Sequence, residues 1–458
     1  MLPRTVAGLL CPILVLLSGA AAAAELSLEQ ALELAREHNR ALSSVRFQVS
    51  EQEAALRSAR SERWPTLDFS QRLTRIDPDT VSRANAAATG LSQLIGFEIP
   101  PFVFEDSFRT QLELAVPVWT SGGLRAAVAA EDDGLDARRA ENQATWRSVQ
   151  GEVARRFFTA VSSRQVMAAR RQALERAERR LLEAERRLEV GLTTRQEVLR
   201  WQVEVESSRA AVAAAEADLF VSRLELADVL GQPAADLGEP AAPRPDVVEA
   251  LLAWAEGLEP MEVMRIADAG LDELPEVRAA RARAEASGEA VRQTRAARRP
   301  RLDAAASYGW LENQTFELDE FANWSASLLL TVPIDLRGRL SAEIARGQAR
   351  REDAEVAVDD VRAARRLELG RAVAEVVRVR SRLRSARRAE QEAAARRELL
   401  VRQTEVGVTS LLDLIDADTT LADAEVARAA ARVDLLAAVA ALELVWPEAD
   451  PPDGGVIP

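Results

Sequence analysis

Phe108-Arg-Thr-Gln-Leu-Glu-Leu-Ala-Val-Pro-Val-Trp119 sets apolar side chains at Phe108, Leu112, Leu114, Val116 and Val118 against polar ones at Arg109, Gln111 and Glu113. A period of two is a strand with two unlike faces. Three further stretches have the same texture. Leu67, Phe69 and Leu73 alternate with Asp68, Ser70, Arg72 and Thr74. Leu302, Ala304, Ala306, Tyr308 and Trp310 alternate with Asp303, Ser307 and Gly309. Trp324, Ala326, Leu328, Leu330 and Val332 alternate with Ser325, Ser327 and Thr331. Each stretch is about ten residues, the length of a tilted strand crossing a bilayer. Trp64, Trp119, Trp310 and Trp324 stand in or at the ends of these strands, as interfacial aromatics do. One such strand alone would read as the cover of a soluble core. Four in a chain with 4% aromatic residues have no aromatic core to cover, which favours a membrane barrel. Four strands cannot close one, because open edges cannot face lipid, so other copies must supply the rest.

The remainder of the 458 residues is helical in character. Apolar residues make up 48% with few aromatics, every basic residue is arginine, and the formal net charge is −14. An acidic chain with no basic tract is a poor nucleic-acid binder. With one cysteine (Cys11) and one histidine (His38), the chain lacks the material for disulfides, Cys/His metal sites and Ser-His or thiol catalysis. The expectation is therefore a protein that is not an enzyme and uses no cofactor or metal. His38 reads as a packed or surface residue.

Residues 1–24 open with Arg4, continue with an apolar run from Val6 to Leu17 and end in five alanines, the pattern of a secretory signal peptide. The run is too short to span a bilayer as a helix, and no other stretch of about 20 apolar residues follows. An exported protein with membrane strands and no membrane helices belongs in the outer membrane of a Gram-negative cell, with its helices in the periplasm.

The chain repeats itself. Glu189-Val-Gly-Leu-Thr193 returns as Glu405-Val-Gly-Val-Thr409, and Ala115-Val-Pro-Val118 as Thr331-Val-Pro-Ile334, both at an offset of 216. Residues 25–230 form a first repeat and 262–446 a second, with 231–261 as connector and 447–458 as a proline-rich tail expected to be disordered. Helical spacing runs from Leu28 to Ser61 in one stretch. A helix of about 70 residues spans Ser121 to Val190, stops at Gly191, and restarts at Thr194 for a run to Leu230. The second half repeats this over Gly338 to Val406, Gly407, and Ser410 to Val445. Helices so long and alanine-rich must bury their stripes against each other as antiparallel coiled coils. Segments 77–107 and 313–320 read as loops joining paired strands.

Three stretches resemble the TolC-like outer membrane efflux family: Ala115-Val-Pro-Val-Trp-Thr-Ser-Gly-Gly123, Thr331-Val-Pro-Ile-Asp-Leu-Arg-Gly338 and Val406-Gly-Val-Thr-Ser-Leu-Leu-Asp-Leu-Ile-Asp-Ala-Asp-Thr-Thr-Leu421. The resemblance implies a mixed α and β membrane protein. Four strands per chain would complete a 12-stranded β-barrel in a homotrimer, continuous with a periplasmic α-barrel. It also implies a passive exit duct for a multicomponent efflux or type I secretion system, partnered by a periplasmic adaptor protein, an inner-membrane transporter and outer-membrane lipid. The alternative is a periplasmic coiled-coil scaffold or adaptor without a barrel. In the family an aspartate pair constricts the pore near the periplasmic end, and the matching positions here are Asp413 and Asp416, with Glu197 in the other repeat. Ser410-x-x-Asp413 and Thr194-x-x-Glu197 also fit capping boxes, so capping competes with the pore role at Asp413 and Glu197. Gly191, Leu192 and Thr193, with Gly407, Val408 and Thr409, form the hairpin tips that meet the adaptor in the family. Their glycines equally suit a plain helix stop. The family's tyrosine and arginine around the second glycine are replaced by Thr404 and Thr409. The arginines at 176, 179, 180, 186 and 187 read as solvated helix surface pairing with nearby Glu.

Overall fold

The computed structural model describes residues 25–97, 103–242, 245–312, 322–405 and 411–446. The strands are β1 (Glu25–Leu26), β2 (Thr66–Arg75), β3 (Asp106–Trp119), β4 (Glu239–Pro240), β5 (Arg301–Glu312) and β6 (Ala322–Thr331). In the first half the helices are α1 (Leu28–His38), α2 (Arg40–Ser61), α3 (Pro78–Ile95), α4 (Gly123–Glu189) and α5 (Arg195–Leu230). In the second they are α6 (Pro245–Glu256), α7 (Pro260–Asp268), α8 (Pro275–Ala296), α9 (Arg339–Glu405) and α10 (Leu411–Val445). The order helix, strand, strand, long helix, helix thus occurs twice.

Two expectations need correction. The spacing from Leu28 to Ser61 is not one helix: it breaks at Asn39, whose Oδ1 accepts from the backbone N–H of Ala41 and Leu42 at 2.9 and 3.3 Å. Its Nδ2 donates to the Val229 carbonyl at 2.8 Å. A buried side chain that caps the second helix and ties down a distant backbone outweighs helical propensity there. Segment 77–107 is likewise not all loop, since it holds α3. Asp77 accepts from Thr80 N–H at 3.0 Å, Pro78 opens the helix, and Gly96 closes it at φ 69°. Residues 313–320 lie outside those described.

The chain forms two compact units, each assembled from distant segments. Of the described residues, one unit comprises those within 25–49, 138–280 and 357–446. Its core joins Ala31 and Ala35 of α1, Val153, Phe157 and Val161 of α4, and Leu226 and Leu230 of α5 to Leu251 of α6, Leu369, Val376 and Leu383 of α9, and Leu435 and Leu442 of α10. Phe157 and Phe158 meet edge-on, ring centres 5.6 Å apart. The N-terminal β1 pairs with β4 in parallel, fastening the chain start to the connector.

The other unit comprises residues 50–137 and 281–356 and carries the sheet. Strand order is β2-β3-β5-β6, every pair antiparallel. The β3–β5 pairing joins the two halves of the chain and slips register between Pro117 and Trp119. Proline has no N–H to give a ladder, so a bulge is where a strand tolerates it. Past the bulge, Gly122 turns the chain into α4 at φ 88°, and Gly338 turns it into α9 at φ 69°. Both sit in the left-handed region that glycine enters without a Cβ clash. The two corners lie 216 positions apart, the offset of the repeat.

Candidate functional site

Register decides which side chains share a face. Leu67 faces Leu114 and Phe69 faces Leu112; across the next seam Leu112 faces Tyr308 and Leu114 faces Ala306. Then Tyr308 faces Trp324, Ala304 faces Leu328 and Leu302 faces Leu330. Opposed residues project to one side, so the apolar sets of all four strands merge into one face. The other face carries Asp68, Glu113, Ser307 and Ser325 in one row and Ser70, Gln111, Gly309 and Asn323 in another. Ser307 and Ser325 are hydrogen-bonded there, Oγ to Oγ at 2.9 Å. Exceptions include Leu329, Ala115 and Ala305 on the polar side and Gln71 and Thr110 on the apolar side, where Arg75, Asp106 and Glu312 also stand at the strand ends.

The apolar face lies open. Leu67, Phe69, Leu328 and Leu330 are 60–71% exposed in the single chain. Trp119 stands beside Leu302 at one end of that face, with Trp64 just before β2. At the other end Trp324 faces Tyr308, which meets Trp310 edge-on at 4.9 Å. Aromatics thus flank the aliphatic band at both ends. At ~3.3 Å per residue, a ten-residue strand tilted ~45° rises about 23 Å, close to the ~25 Å apolar band of membrane barrels.

At the hairpin end of the helices, α4 closes in a Schellman motif. Leu192 N–H reaches Arg187 O at 2.8 Å and Gly191 N–H reaches Leu188 O at 3.0 Å, with Gly191 at φ 73°. Leu192 projects outward, 77% exposed. Thr194 Oγ1 accepts from Glu197 N–H at 3.4 Å, and the Glu197 carboxylate turns back to the Thr193 hydroxyl. Glu197 is therefore engaged in its own turn. Asp413 and Asp416 lie on the exposed side of α10, opposite the buried Leu414, Ile415 and Ala417. Thr404 donates its hydroxyl to Leu400 O at 2.7 Å, within its own helix. Gly407, Val408 and Thr409 lie outside the described residues.

Sequence reading missed the residue that joins these hairpins. Trp201, 2% exposed, packs with Ala184, Val198, Leu414 and Ile415, bordered by Leu181, Leu188, Leu400 and Val401. Four helices meet on one indole. Its signal was the apolar stripe Val198, Trp201, Val205. Of the arginines read as solvated surface, Arg180 and Arg187 do pair with Glu183, at 2.9 and 3.4 Å. Arg176 does not fit that reading. It crosses to Glu425 of α10 at 2.6 Å, with both side chains about one-fifth exposed.

Among the described residues no helix is long and apolar enough to cross a membrane, and no group of His, Asp or Glu is arranged to hold a metal ion.

The profile of the Outer membrane efflux protein family matches residues 31–232 and 267–446. No curated protein sequence matches the chain. Among solved structures it is similar to the outer membrane protein VceC from Vibrio cholerae, at 19% identity and a TM-score of 0.74, covering 92% of this chain and 96% of that one. It is similar to a membrane protein from Pseudomonas aeruginosa, at 20% identity and a TM-score of 0.75, covering 92% of both. It is also similar to the CmeC outer membrane channel from Campylobacter jejuni, at 17% identity and a TM-score of 0.75, covering 92% of this chain and 85% of that one. Those likenesses concern the fold, whereas the family profile covers most of the sequence in two blocks that follow its two halves. The chain belongs to the outer membrane efflux protein family, a family of channels and not of enzymes.

Proposed function

We propose that this chain is the exit duct of a multicomponent exporter, formed by three copies whose sheets join edge to edge into a 12-stranded barrel. One observation carries the reading: the four strands merge into a continuous exposed apolar face, and among the described residues the end strands β2 and β6 have no neighbour on their outer edges. Lipid covers the face and sister copies cover the edges, which removes both costs at once. On this reading residues 1–24 direct export and are removed, and Trp64, Trp119, Trp310 and Trp324 sit at the bilayer interfaces. The helices occupy the periplasm, and residues 25–230 and 262–446 act as paired repeats around a connector at 231–261. Asp413 and Asp416 point into the pore, so that three copies place six carboxylates around it and favour cations. Gly191, Leu192 and Thr193 with Gly407, Val408 and Thr409 meet a periplasmic adaptor, which links the duct to an inner-membrane transporter. No catalytic step is assigned to any residue.

The test is quenching of tryptophan fluorescence by brominated lipid in reconstituted vesicles. Quenching, with extraction as a heat-sensitive trimer that requires detergent, is the expected result. A monomer soluble without detergent and insensitive to bromine would replace the duct with a periplasmic scaffold.

A further inference from the structure

Just beyond Trp201, a cavity of about 80 Å³ lies between α4, α5 and α10, lined by Glu204, Asp418, Thr419, Ser207 and Ser208 among others. Two carboxyl groups on different hairpins share this space. Asp418 Oδ1 is paired with Arg397 of α9, while Oδ2 is buried with no hydrogen-bond partner. A buried acceptor left without a donor is costly, and a second ionised carboxyl in the same cavity adds to that cost. Arginines nearby are already committed: Arg170 to Asp423 at 2.9 Å, Arg176 to Glu425 at 2.6 Å.

We propose that Glu204 and Asp418 are a proton-operated clasp: with Glu204 neutral the two side chains share this cavity and α5 holds against α10, and ionisation of Glu204 sets a second negative charge beside Asp418 and loosens the seam between the hairpins.

The charges facing Glu204 fit this role. Burial raises the Glu204 carboxyl above the usual range, Asp418 raises it further and Asp423 adds a smaller push; only the Thr419 hydroxyl acts in the opposite sense. The arginines of α4 and α9 answer Asp423, Glu425 and Asp418, which leaves Glu204 to be neutralised by protonation. A carboxyl raised in this arrangement stabilises it below its ordinary pKa, and that stability is lost as pH climbs through the raised value. Acid closes the clasp and rising pH opens it. Because α10 also carries Asp413 and Asp416, opening the seam frees the segment assigned to the constriction. The clasp depends on the duct reading only for that last consequence.

Trp201 borders the cavity and reports on it. In the assembled protein in detergent, its emission is taken as the difference between the chain and Trp201→Phe. We expect a shift to the red, with a single midpoint, as pH rises through the raised Glu204 carboxyl. Glu204→Gln, which stays neutral at every pH, should remove the shift. Asp418→Asn should move the midpoint to lower pH, and it stands as the second variant should Glu204→Gln fail to assemble. No pH response, or the same midpoint in either variant, overturns the clasp. Bilayer conductance should rise with the same midpoint. Emission that responds while no current flows at any pH would sink the duct and leave the clasp standing.

Discussion

Asn39 interrupts a stripe of leucine and alanine that would otherwise propagate, and its three hydrogen bonds are what replace the lost turn. Asn39→Ala should lower stability by about 1–2 kcal/mol, read as a fall in Tm. Its neighbour in space is Gly231, at φ 68°, where an added Cβ would lie 2.5 Å from His38 O. Gly231→Ala should cost more than Asn39→Ala, because backbone strain and a backbone clash coincide. A third residue gives a pH signature. Asp133 is raised by burial and by Glu285, Glu289, Asp132 and Asp136, so it adds stability in acid that fades as pH rises. Asp133→Asn should therefore raise Tm at pH 8 more than at pH 4.5. Which residues could be read in advance follows from where their partners lie. Thr194 and Gly191 act within one turn of themselves and were legible. Asn39 works on Val229, 190 positions away, and nothing local in the sequence announces that.

For the strands, parity along each segment was enough to know which residues share a side, because the period of two leaves no alternative. The pairs β2–β3 and β5–β6 were readable from the segments that join them; the seam between the two pairs was not. Pairing β3 with β5 brings Leu112 to Tyr308, and no local pattern encodes a partner so remote. Leu328→Arg, at the middle of the apolar face, should cost about 2–4 kcal/mol in a bilayer and deplete the heat-sensitive trimer band. Ser325→Arg, three positions earlier on the polar face, should leave that band intact. Equal loss in both would mean that the two faces do not see different solvents. Helix α3 was legible in principle. Asp77-Pro78 and Gly96 are start and stop signals, and Val81, Ala84, Ala88, Leu91 and Ile95 recur at helical spacing between them. At the hairpins, Trp201→Ala should cost about 3–5 kcal/mol, the range for emptying a large aromatic site, and speed proteolysis near residue 192.

Over the whole chain the repeat was the most legible feature, since its offset of 216 recurs at the strand ends, the helix corners and the hairpins. The compact units cut across it, each drawing on both halves. Cysteines placed on the outer edges of β2 and β6 should crosslink between chains and give a species of three-chain mass; a crosslink confined within one chain would remove the ring. The make-up of the units bears on how the protein is born. The sheet is not whole until β6 has emerged, and the helical core is missing Leu435 and Leu442 until α10 is finished. Folding cannot proceed from the first residue onward as the polypeptide leaves the translocation machinery. Nearly the full length must wait uncommitted, its greasy strands in need of a chaperone's custody, and nascent fragments ending before α10 should be destroyed, not stored.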